Sequence, residues 1–133
     1  MDAIYIFTIA AVIACFGIAF ILRSSLEKIS LEPGNLGQIQ SKLFMLVAFI
    51  EAFPIVFIVF GFMLLADSTA DTTIPLIIVV ISVLVNGILN FMKRNELVTA
   101  QPELRNILNS LFRVGTALML AIPIVAIVAM FVR

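Results

Sequence analysis

The sequence predicts an all-α membrane protein: four transmembrane helices, arranged as two tandem helical hairpins. Three observations predict it. Four long apolar runs, Ile4–Leu22, Leu43–Ala66, Ile74–Met92 and Val114–Val132, hold one charged residue among them, Glu51. Hydrophobic residues make up 63% of the 133-residue chain and charged residues only 12%, too few to cover a soluble globule. The second half of the chain also repeats the first at a shift of 69 residues.

An α-helix rises ~1.5 Å per residue, so ~20 residues cross a ~30 Å hydrocarbon core, and each run is long enough. Helices satisfy their own backbone groups, as lipid requires, and the runs lack the apolar–polar alternation of a membrane strand. The first run follows Met1-Asp2-Ala3, with no basic segment and no small-residue cleavage site, so it reads as a retained helix rather than a signal peptide. Its lone Cys15 has no internal disulfide partner and reads as a small packing residue. The second run carries Glu51 and Pro54. The third carries Ser82, Asn86 and Asn90, polar groups suited to bonding between helices. The fourth carries Pro123; bends are expected near both internal prolines.

The connections differ in charge. Arg23–Lys42 holds three basic residues and Lys93–Arg113 four, whereas Asp67–Thr73 holds two Asp and no cation. Basic loops stay cytoplasmic. Both long loops are therefore expected inside, with the termini and the short loop outside. The helices should run past the membrane edges and turn near Pro33-Gly34 and Pro102. This divides the chain into a first hairpin (1–66), a short external loop (67–73) and a second hairpin (74–133).

The repeat places Glu27 on Glu96, Pro33 on Pro102, Ala52 on Ala121, and Pro54-Ile55-Val56 on Pro123-Ile124-Val125, with no gap. It is asymmetric at one point: position 51 is Glu and its counterpart, position 120, is Leu. A carboxylate at mid-membrane costs a few kcal/mol on the mildest scale, and desolvation favours its neutral form. Glu51 is thus the candidate proton-binding residue. Asn86, at a similar depth in the repeat register, is a candidate hydrogen-bond partner, within the chain or across to a neighbour. The absence of His removes imidazole chemistry, and a net charge of zero without a basic stripe argues against a nucleic-acid partner. No catalytic residue, metal site or cofactor is expected.

Glu27-Lys28-Ile29-Ser30-Leu31-Glu32-Pro33, followed by Ala48-Phe49-Ile50-Glu51-Ala52-Phe53-Pro54, resembles the c subunit, or proteolipid, of rotary ATP synthases. That family has a Glu six residues before a loop proline and an essential carboxylate, followed by Ala, eighteen residues after it. Glu27, Pro33, Glu51 and Ala52 keep those spacings. The Glu51-to-Pro54 form looks like proteolipids of Bacillus-type bacteria. Gln101-Pro102-Glu103, with Glu96 before it, matches the loop again, so the resemblance covers nearly the whole chain as two copies. Fused hairpins with half the acids resemble the V-type proteolipids, although there the retained acid often lies in the last helix.

The chain also departs from the family. The loop Arg, which in the family helps dock the central stalk, is Leu31 in one copy and Ala100 in the other. The alternating glycines of the inner helix are mostly replaced: Ile13, Cys15, Gly17 and Ala19, then Ser82, Leu84, Asn86 and Ile88. Sodium-type members place a hydroxyl residue after the acid and a Gln on the inner helix; Ala52 and Ile18 stand there instead, which favours the proton.

The resemblance implies a homo-oligomeric rotor ring in the plasma membrane of a bacterium. It also implies a stator a-type subunit and central-stalk subunits as partners. Such a chain is a non-catalytic membrane subunit with no ATP site of its own, and membrane lipid is its other partner. Two alternatives remain: a structural or regulatory membrane protein of proteolipid ancestry, and a small proton-coupled multidrug transporter. The transporters usually place their Glu in helix 1, carry Trp and show little Lys/Arg bias. This chain has its acid in helix 2, no Trp and a strong bias.

Overall fold

The computed structural model describes residues 2–67, 69 and 71–132. Ser68 and Ala70 of the short loop, with Met1 and Arg133 at the ends, lie outside the described residues. Four helices follow in order: α1 (Ala3–Leu31), α2 (Leu36–Leu64), α3 (Thr73–Ala100) and α4 (Arg105–Val132). All four are long and apolar enough to cross a membrane, and they form two joined pairs. The chain is a multi-pass membrane protein with four candidate spans.

The helix ends follow from local chemistry. Asp2 caps α1, its Oδ1 accepting the Ile4 N–H at 2.9 Å, while its Oδ2 accepts the Thr69 N–H at 3.0 Å. α1 stops where Glu32 precedes Pro33, and α3 stops where Gln101 precedes Pro102. A residue before proline is pushed out of the helical region, and both residues sit at φ near −135°. Short 3-10 turns, Pro33–Asn35 and Pro102–Leu104, then start the return helix. The two turns are 69 residues apart, as are the starts of α2 and α4. The helices outrun the charge-free stretches, so the long loops of the sequence are mostly helix. α2 and α4 remain α-helical through Pro54 and Pro123, whose rings are buried in the bundle.

The two hairpins match in their elements and differ in packing. α1 packs against all three other helices, α3 packs on α4, and α2 and α3 barely meet. α1 is therefore the central helix, with α2, α3 and α4 arranged around it. In α1, 61% of the most apolar 18-residue stretch is buried, against 22% in α2 and 28% in α3. Glycines set the close approaches. Phe7 of α1 lies over Gly61 of α2, and Leu22 of α1 lies over Gly115 of α4. Large apolar side chains on the outside, Phe49 and Met63 of α2 among them at 67% and 71% exposure, form an apolar surface suited to lipid or to another apolar partner.

Polar bonds join α1 to α3 in parallel register. Cys15 Sγ donates to the Ser82 carbonyl at 3.5 Å, and Arg23 donates to Asn90 Oδ1 at 2.9 Å. Gln101, just past α3, donates to the Ser30 carbonyl at 2.8 Å. These pairs lie 67 to 71 residues apart, a range that brackets the repeat shift, so equivalent positions of the halves sit side by side.

Candidate proton-binding site

Glu51 sits midway along α2. The buried stripe of that helix runs through Ile39, Leu43, Val47, Pro54, Ile58 and Gly61, which is the face turned to the bundle. At 100° per residue, Glu51 falls on the flank of that stripe and is partly exposed. Its neighbour Ile50 packs against α1 at Gly17, where an added Cβ would lie 3.0 Å from Ile50 Cγ2. The missing side chain at Gly17 lets α2 approach α1 at the level of the acid.

Outside that contact the surroundings are small or aromatic. Ala48 and Ala52 are exposed, and Phe49 and Phe53 stack edge to face at 5.9 Å. Neither alanine reaches far enough to cover the carboxyl. Among the described residues none forms a hydrogen bond or ion pair with Glu51. No group of three Cys, Asp or Glu side chains that could hold a metal occurs among the described residues either. The site is therefore a lone carboxyl at the rim of the bundle.

The expected partnership of Asn86 with Glu51 is not made within the chain. Asn86 is fully buried in the α1–α3 seam; its Nδ2 donates to the Ser82 carbonyl at 2.8 Å and toward Cys15 Sγ at 3.6 Å. α1 stands between it and α2. Cys15 is fully buried, as a packing residue should be. Leu120, the counterpart of Glu51, is partly buried and packs against the core from α4.

Two polar arrangements escaped the sequence reading. Arg94 is half-buried. Its guanidinium lies over the rings of Phe91 and Phe112, 5.0 and 5.5 Å from their centroids, and it hydrogen-bonds Asn109. Asn90 is fully buried and holds Arg23 at the membrane edge. Helical spacing carries a signal for the first: Phe91 lies three residues before Arg94. The second depends on which faces of α1 and α3 meet.

Compared with known protein families, curated proteins and solved structures, the chain matches none.

Proposed function

We propose that this chain is a rotor-ring proteolipid of a proton-translocating ATP synthase or ATPase, or a diverged paralogue of one, carrying protons by reversible protonation of Glu51. The observation that carries the reading is the position of that carboxyl. It lies at mid-height on α2, on the flank of the packed face, with its outer side uncovered and no hydrogen-bond or ion-pair partner among the described residues. A carboxyl facing lipid is stable only when neutral. Brought opposite a fixed cation on a stator subunit, it can ionise, because an opposite charge within ~4–6 Å favours the charged form. Rotation back into lipid then demands a proton from the other side.

Further support comes from the architecture. α2 and α3 barely meet and each leaves most of its apolar stretch uncovered, so copies could add head to tail and close as a ring. Each copy would bring one titrating acid for two hairpins, because Leu120 cannot carry a proton. The basic loops favour long loops inside and termini outside, and the resemblance implies a bacterial plasma membrane. A second reading, a structural protein of proteolipid ancestry, draws on the turn. Leu31 stands there 73% exposed, where the family has its stalk-docking Arg.

Proton flux through the native complex in vesicles separates the two. Glu51→Gln keeps the shape of the side chain but cannot cycle a proton. Flux should vanish while insertion and assembly persist. Full flux in the variant would remove Glu51 from the mechanism.

A further inference from the structure

We infer that the cleft between the C-terminal end of α1 and the start of α2 is a binding site for the phosphate headgroup of an anionic phospholipid. The cleft has a volume of about 360 Å³. One end is polar, lined by Ser24, Lys28, Gln38 and Lys42, and the other is apolar, lined by Phe20 and Leu46. That division matches a headgroup above an acyl chain.

Depth supports the match. Lys42 immediately precedes the apolar run of α2, and Lys28 lies six residues beyond the last residue of the first run, Leu22, or about 9 Å at ~1.5 Å per residue. The polar layer on each side of a bilayer is about 5–8 Å thick. The two lysines therefore bracket the headgroup level, while Phe20, 66% exposed, lies in the hydrocarbon below. Neither lysine has an ion-pair partner among the described residues. The one acid in the cleft, Glu32, accepts a hydrogen bond from Asn35 at 2.9 Å, and no side chain caps the start of α2. The cleft thus carries a net positive charge.

The second hairpin provides an internal comparison. At the 69-residue shift, Lys28, Gln38 and Lys42 become Leu97, Ile107 and Leu111. Leu97 and Leu111 are buried, 7% and 2% exposed, and Ile107 packs on the core. Where one hairpin seals this junction with aliphatic side chains, the other opens it and lines it with cations. Sealing is the cheaper solution for a helical turn, so the open, basic form points to an occupant.

The test uses the full chain purified in mild detergent, with phosphatidylglycerol and phosphatidylcholine as probes and native mass spectrometry as readout. One phosphatidylglycerol should remain bound per chain, in preference to phosphatidylcholine. A surface lysine contributes roughly fivefold to anionic-lipid affinity, so Lys28→Gln with Lys42→Gln should weaken retention on the order of 25-fold. Both lysines are exposed, and circular dichroism will show that the helices persist. Glu103→Gln with Arg105→Gln, at the other turn, should leave retention unchanged. Equal retention of the two lipids, or undiminished retention by the double lysine variant, would overturn the site. Displacement by millimolar inorganic phosphate would also overturn it, by assigning the lysines to a soluble anion.

Discussion

At the scale of single residues, the tightest constraint lies where α1 meets α4. A Cβ on Gly115 would come within 2.4 Å of Leu22 Cδ1 and 2.9 Å of its Cγ, and Leu22 is fully buried with no room to turn away. Overpacking of this kind costs ~1–3 kcal/mol. Gly115→Ala should lower stability by that amount in denaturant titration of the detergent-solubilised protein, and its cost should shrink in a chain that already carries Leu22→Ala. If Gly115→Ala unfolds at the wild-type midpoint, the close approach is absent. Glu51 was legible in the sequence because a charge inside an apolar run has few physical readings. The partner of Asn86 was not. The repeat fixes the depth of Asn86, but its direction depends on the angle at which α3 meets α1, which no spacing along the chain encodes. The setting of Arg94 was hidden for a similar reason: that its guanidinium lies over both Phe91 and Phe112 depends on how α3 meets α4.

Among the helices, the parallel pair α1–α3 makes a definite claim about register. Asn86 Nδ2 lies 3.6 Å from Cys15 Sγ, so a thiol at position 86 would face the native one. Asn86→Cys should form an intrachain disulfide with Cys15 under mild oxidation. Cleavage in the Asp67–Thr73 loop would then leave the hairpins joined until a reductant is added. Because disulfide geometry tolerates Cα separations of only ~4.4–6.8 Å, a slip of one helical turn would abolish the bond. Separable halves under oxidising conditions would refute the register. The helices and their turns were readable in advance, since apolar length and the prolines dictate them. Their continuation to Leu31 and Ala100 was expected only in outline, because charged helix formers at a membrane edge suit loop and helix alike.

At the scale of the whole molecule, the basic loops predict an orientation with both termini outside. A cysteine introduced at Asp71, in a chain whose Cys15 is replaced, should react with an impermeant reagent in intact cells. Reaction only after permeabilisation would invert the topology. The duplication was visible in the sequence, but the inequality of its halves was not. The same pattern of apolar runs serves a helix enclosed by three neighbours and a helix that faces lipid over most of its surface, since in a membrane both are apolar. The signals that mark α1 as the central element are slight: its buried small residues Ala10, Ala14 and Ala19, and the close approaches at Gly17, Gly61 and Gly115.

That central position has a consequence in time. Chains enter the membrane in the order of their synthesis, so α1 arrives first and alone. The glycine that receives Leu22 lies on α4, the last helix made, and the amide that holds Arg23 lies on α3. Until both arrive, α1 carries a guanidinium at the membrane edge and a leucine within the span, both shaped for absent neighbours. Synthesis that terminated after residue 67 would release a hairpin with two sound spans and an unfinished core. Quality-control proteases could recognise such a fragment by that exposed seam, and a finished chain would hide it.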